Sequence, residues 1–218
     1  MRRSIREFVS LVTETIPTPE SICEFGSLQV PGQETLADLR PLFPGKVYMG
    51  CDMREGRGVD RILNLHDIDL PSASVGTVLC LDTLEHVEYP HRAMEEVCRI
   101  LRPDGVAVIS SVMQFPVHDH PCDYWRFTTE AFRSMLKPLS HSFVGFAGDE
   151  GFPHTVVGIG FKGEQPPLDA FLRAYGAWQK GQSRSLGSIA RSLTPPFLLP
   201  TLLSLRRGSV RAARASRA

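Results

Sequence analysis

The feature that most restricts the fold is a pair of almost unbroken apolar runs, residues 77–81 and 106–112, separated by one helical period. Strands without polar alternation belong in a parallel sheet, where crossover helices cover both faces. Between the two runs, residues 91–101 place Met94, Val97, Cys98 and Leu101 on one helical face. Arg102-Pro103-Asp104-Gly105 then stops the helix, because proline cannot continue it and glycine can turn. Strand, helix and strand in this order form a βαβ unit with parallel strands.

The alternation extends to both sides. Residues 21–24, 46–52 and 61–67 read as the first three strands, and Leu36 and Leu39 recur at helical spacing over 34–40 before Pro41. Beyond residue 112, Thr128 offers an N-cap to a helix bearing Phe132, Met135 and Leu136, and runs 142–146 and 155–161 fit two closing strands. The expectation is an α/β, Rossmann-like three-layer sandwich with a mostly parallel sheet. Its domain spans 1–165 and opens with a helix over 2–16. Gln165-Pro166-Pro167 marks the edge, followed over 166–218 by one helix, 168–179, and a basic tail that is partly disordered.

Composition narrows the class further. With 42% hydrophobic and 22% charged residues the chain suits one globular domain. Its longest apolar run, 195–205, falls short of the ~20 residues a membrane span needs. Glu7 and the polar residues 13–15 interrupt any apolar signal core, so a cytoplasmic protein is expected. Cys23, Cys51, Cys80, Cys98 and Cys122 are odd in number and widely spaced, and read as buried, reduced thiols. The zero net charge hides a split: residues 170–218 hold nine bases and no acids, leaving fifteen bases against all twenty-four acids in the rest. Such a tail either packs on the acidic body or, through 195–207, touches a membrane surface peripherally. Nucleic acid is the disfavoured partner, because no aromatic residues interleave the bases.

The first strand runs into Glu24-Phe25-Gly26-Ser27, where a glycine lets a ligand approach the backbone. Asp52, at the end of the second strand and twenty-six residues beyond Gly26, can accept both hydroxyls of a ribose. Two classes of ribose-bearing cofactor fit. Dinucleotides bring a pyrophosphate that calls for three spaced glycines, and Gly26-Ser27-Leu28-Gln29-Val30-Pro31-Gly32 does not supply them. S-adenosylmethionine has no phosphate, so the residues prefer it.

A longer match then becomes visible. Leu79-Cys80-Leu81-Asp82-Thr83-Leu84-Glu85-His86-Val87 resembles the LxxDxLEHV segment of class I methyltransferases of the type 11 kind. Leu101-Arg102-Pro103-Asp104-Gly105 resembles the LKPGG turn of that family, and Leu70-Pro71 its LPF position. The resemblance runs from about Ser21 to Phe132. It implies a seven-stranded sheet whose last strand is antiparallel, with S-adenosyl-L-methionine as cofactor. It also implies a cofactor site at Glu24, Gly26, Ser27, Asp52, Met53, Leu81 and Asp82, with His66, Asp67 and Ile68 beside the adenine. One departure is plain: Leu28 stands where the family has its second glycine.

Methyl transfer needs alignment above all, and a base where the acceptor is a hydroxyl or a protonated amine. His86, His118 and His120 are the candidate catalytic residues. Asp123, Tyr124 and Arg126, in a segment similar to a DYWRFT stretch of related methyltransferases, either contact the acceptor or order its loop together with Trp125. His118, His120 and Asp123 are metal-ligand types, but without a further close ligand in sequence no metal is expected. The expected activity is methylation of a small-molecule or glycan-type acceptor. The alternatives are a non-catalytic binding protein of the same fold, which Leu28 favours, and an NAD-dependent oxidoreductase, which the glycine pattern disfavours.

Overall fold

The computed structural model describes residues 1–118 and 122–182. A helix, α1 (Arg3–Thr15), precedes β1 (Ile22–Phe25), the one-turn α2 (Glu34–Ala37), β2 (Tyr48–Asp52), β3 (Arg61–Ile62) and β4 (Val75–Leu81). Then come α3 (Pro90–Ile100), β5 (Leu101–Val112), α4 (Thr129–Met135), β6 (His141–Asp149), β7 (Phe152–Phe161) and α5 (Asp169–Gln182). The strands form one sheet in the order β3-β2-β1-β4-β5-β7-β6. The pairs among β1 to β5 are parallel, and β7 is antiparallel to both its neighbours, as expected of the last strand.

Period-two alternation explains the three layers. Along β4, Val78 and Cys80 enter the core shared with α3 and α4, while Leu79 and Leu81 enter the core under α1 and α5. Ala107 and Ile109 on β5 join the first core, and Val106 and Val108 the second. α1 buries Ile5, Phe8, Val9 and Val12, an i, i+3, i+4, i+7 stripe. α5 sends Phe171 and Tyr175 into the same core, where the Phe171 ring meets Phe8 edge-on at 6.4 Å. The Tyr175 hydroxyl donates to the Phe146 carbonyl at 3.0 Å and accepts the Phe146 N–H at 2.8 Å, which ties α5 to β6.

Several expected elements differ in extent. β3 pairs over two residues only, because Leu63, Leu65 and Ile68 all turn into the core and draw the backbone off the sheet edge. There the Asp67 N–H donates to the Asn64 carbonyl at 3.1 Å, closing a turn in place of a strand. The expected helix over 34–40 breaks into α2 and a 3-10 turn, Arg40–Leu42, because the backbone turns extended at Asp38 and restarts helically with Pro41 in the first positions of the new turn. β5 starts earlier than expected: Leu101 pairs with Val75, residues 102–105 bulge out, and Val106 resumes opposite Thr77. Cys23, Cys51 and Cys80 are buried thiols as expected, whereas Cys98 is half-buried and Cys122 exposed. Among the described residues no helix is long and apolar enough to cross a membrane.

Candidate functional site

The carboxyl ends of β1, β2, β4 and β5 share one edge of the sheet, and the loops leaving them line a cavity of about 940 Å³. Strand order reverses between β1 and β4, the position where open α/β sheets bind ligands.

The first wall is the loop after β1. Gly26 has φ +83°, and a β-carbon there would lie 2.2 Å from Thr83 Oγ1 on the loop after β4, so both backbone and space demand glycine. The Gly26 and Ser27 N–H groups donate to the Cys51 carbonyl at 2.9 and 3.1 Å. Leu28, in place of the family's second glycine, packs toward Gly56, where a β-carbon would meet Leu28 Cδ1 at 2.3 Å. The buried Gln29 donates its N–H to the Arg57 carbonyl at 2.9 Å. Gly58, at φ +90°, passes so close that a β-carbon would lie 2.5 Å from the Ser27 carbonyl oxygen. The loop is therefore braced from outside by residues 56–58, a glycine pattern that carries the signal sequence reasoning passed over.

Asp52 ends β2 with an 11% exposed side chain, and its Oδ1 accepts the Arg54 N–H at 3.1 Å, which turns the carboxylate along the cavity wall. Met53 is an exposed apolar neighbour, and His66 accepts the Tyr89 N–H through Nε2 at 3.1 Å. Glu24 lies at the cavity floor, 4% exposed, and Tyr48 donates to its Oε2 at 2.6 Å. Burial outweighs that bond and the nearby Arg40, so the Glu24 carboxyl is pushed up to about 7.

Asp82 takes φ +47°, in the left-handed region that aspartate tolerates. Arg2 grips it from the chain's start, with Nε to Oδ2 at 2.9 Å and the second nitrogen to Oδ1 at 2.7 Å. Met1 and Arg2 thus line the cavity, and the Arg2 guanidinium lies 5.7 Å from the centre of the Phe115 ring. Glu85, next on the 3-10 turn Leu84–His86, is 1% exposed and accepts from Ser111 Oγ at 2.6 Å. Burial and the charge of Asp82 push its carboxyl up to about 7.

His86 and His118 meet across the cavity wall, ring centres 4.8 Å apart and nearly perpendicular. Asp123 holds the neighbouring segment: its carboxylate takes the His118 N–H at 2.8 Å and two bonds from Arg126. Those bonds hold its pKa well below the usual carboxylate range. Tyr124 and Trp125 donate their backbone N–H groups to the Glu85 carbonyl, and the Trp125 indole donates to the Val87 carbonyl at 3.0 Å.

The structure therefore gathers Glu24, Gly26, Ser27, Asp52, Met53, His66, Leu81, Asp82, His86 and His118 around one cavity. Asp123, Tyr124 and Arg126 stand behind the wall and order the segment that delivers His118. Asp67 and Ile68 are not among the lining residues; Ile68 is core, and its N–H donates to Glu96 Oε2 at 2.9 Å. His120 and the basic tail from 183 lie outside the described residues. Sequence reasoning missed Arg2, which no local pattern flags, and gave Glu85, the glutamate of the LEHV segment, no role of its own.

Residues 51–109 match the type 11 family described as "Methyltransferase domain". No protein of curated function matches the chain in sequence. Among solved structures, a SAM-dependent methyltransferase of Thermotoga maritima superposes with TM-score 0.54 at 19% identity, covering 73% of this chain and 89% of its own. The 1,6-didemethyltoxoflavin-N1-methyltransferase of Burkholderia thailandensis, solved with 1,6-didemethyltoxoflavin and S-adenosylhomocysteine, gives 0.53 at 16%, covering 74% and 79%. A chain of the complex between the Haloferax volcanii Trm112 methyltransferase activator and the methyltransferase gives 0.52 at 15%, covering 76% and 92%. With this sheet order and a match over residues 51–109, the chain has the Rossmann-like fold of the S-adenosylmethionine-dependent methyltransferases and is similar to their type 11 family.

Proposed function

We propose that the chain transfers the methyl group of S-adenosylmethionine to a small-molecule or glycan-type acceptor that enters the cavity beside His86 and His118. The observation that carries this reading is the convergence, on one cavity, of the ribose-binding candidate Asp52, the tight Gly26 turn and the histidine pair. Transfer from a sulfonium is an in-line displacement on an already activated carbon, so holding acceptor and methyl in line supplies ~7–11 kcal/mol of the barrier reduction. The histidines would handle the acceptor's proton.

Both rings favour this role. The His86 Nδ1 contacts the Cys122 carbonyl, and the His118 Nδ1 lies 3.1 Å from an Asp123 carboxylate oxygen. Carbonyls and carboxylates only accept, so each Nδ1 carries hydrogen and Nε2 is the basic nitrogen of the neutral ring. The braced loop around Leu28 argues for a formed cofactor site over a non-catalytic binding protein. The Burkholderia enzyme's small heterocyclic ligand supports an acceptor of similar class.

Incubating the chain with methyl-labelled S-adenosylmethionine and fractionated small-molecule and glycan extracts tests the proposal. One labelled product is expected, formed ~10²–10⁴-fold more slowly by His86→Ala or His118→Ala. Full turnover in both variants would remove the histidines from the mechanism, and labelling of nucleic acid alone would overturn the acceptor class.

A further inference from the structure

Glu85, His86 and His118 each bring one ligand-type atom, an oxygen and two nitrogens, within 4.8 Å of one another. Glu85 Oε2 is satisfied by Ser111, but Oε1 is the one buried side-chain polar atom among the described residues without a hydrogen-bond partner. Buried carboxylates are stable when paired or when they bind a cation, so an orphan oxygen at a cavity wall calls for an occupant. All three side chains line the cavity.

The histidines are backed as metal-binding histidines are. Each presents its Nδ1 hydrogen to a fixed acceptor, the Cys122 carbonyl for His86 and the Pro116 carbonyl, at 3.2 Å, for His118, with an Asp123 carboxylate oxygen also 3.1 Å from that nitrogen. Such backing orients the ring and makes Nε2 a stronger ligand. Asp123 is itself clamped by Arg126, 2.7 Å from Oδ2, so the support extends one shell further.

We propose that Glu85 Oε1 and the Nε2 atoms of His86 and His118 form a site for a divalent transition-metal cation of the zinc type. Two imidazoles and one carboxylate are a donor set that zinc accepts in sites keeping a position open for water or substrate. Metal–ligand bonds of about 2.0–2.2 Å place ligand atoms about 3–4 Å apart, so the present spread needs closure by about 1 Å, within reach of side-chain rotation. The open position faces the cavity. If the methyltransferase reading above holds, the cation occupies the Nε2 lone pairs and takes over the histidines' part: it receives a hydroxyl oxygen of the acceptor and lowers its pKa. The proton leaves to solvent, the oxygen lone pair forms the new O–CH₃ bond, and the broken C–S bond leaves its electron pair on sulfur. The cation changes no oxidation state.

The test uses the full-length, untagged, metal-stripped chain titrated with Co²⁺ and with Zn²⁺, by visible absorption and by calorimetry. One equivalent of Co²⁺ is expected to bind with d–d bands and no thiolate charge-transfer band. Zn²⁺ should displace it. Glu85→Gln, nearly isosteric, should weaken binding at least tenfold, as should His86→Ala and His118→Ala, whereas His91→Ala on α3 should not. Circular dichroism verifies folding of each variant. Absence of stoichiometric binding, binding that survives all three substitutions, or a charge-transfer band marking Cys122 as ligand would overturn the site. S-adenosylmethionine titrated into the same samples separates the two ideas. Cofactor binding without cation binding sinks only the metal site, and cation binding without cofactor binding sinks only the methyltransferase reading.

Discussion

Replacing Gly26 with alanine should damage the fold through one identifiable clash. The new β-carbon would lie 2.2 Å from Thr83 Oγ1 and 3.1 Å from its Cγ2, while the backbone stays at φ +83°. Left-handed backbone costs a residue with a β-carbon about 1–2 kcal/mol. Expelling Thr83 Oγ1 forfeits its hydrogen bond to the Leu81 carbonyl at 3.0 Å, about 1 kcal/mol. The overpacking itself costs about 1–3 kcal/mol. The single variant should therefore lose about 3–6 kcal/mol, a large part of the about 5–15 kcal/mol typical of a domain. Thr83→Ala removes both clashing atoms and leaves a tight contact at 3.2 Å. In the double variant the overpacking disappears, giving a coupling of about 1–3 kcal/mol. Urea denaturation of the four proteins measures this cycle. Costs that add to within about 0.5 kcal/mol would show that Gly26 does not meet Thr83, and would refute the reasoning.

Arg2→Ala should destabilise by about 1–3 kcal/mol in thermal melts, because the half-buried Asp82 carboxylate loses a two-pronged partner. Arg2→Lys should restore little of that loss, since an ammonium cannot reproduce the fork. Glu24 holds its proton to about pH 7 in the fold but to only about 4.5 when unfolded. The folded state thus binds more protons across that window, and stability falls as pH rises through it by about 3 kcal/mol. Glu24→Gln should flatten that part of a pH series of urea midpoints, and an unchanged slope would dismiss Glu24 as the source. Arg126→Ala should expose the segment around residue 118 to limited proteolysis, because Asp123 loses its strongest partner. Resistance equal to the parent would assign that ordering elsewhere.

The centre of the fold was readable because it rests on local periodicity. Val78 and Cys80 against Leu79 and Leu81 sort into two cores by strict alternation, and Pro103-Asp104-Gly105 marks the break before the longest parallel pairing. The edge was less readable. Leu63 and Leu65 have strand-like spacing, yet burying Ile68 as well pulls the chain into a turn, so the third strand is short and Asp67 and Ile68 leave the cavity. The site divides likewise. Gly26 and Asp52 announce themselves by position after their strands, whereas the Arg2 to Asp82 pair joins residues eighty apart and leaves no local pattern. Glu85 stands inside the LEHV segment, but its burial and its orphan oxygen leave no trace in the sequence.

The most direct measurement is calorimetric titration of S-adenosylmethionine and of NAD into the parent chain and into Asp52→Ala. One equivalent of S-adenosylmethionine should bind the parent, at least tenfold more weakly the variant, and NAD neither. Binding of NAD, or S-adenosylmethionine affinity indifferent to Asp52, would contradict the placement of the cofactor at the loops after β1 and β2.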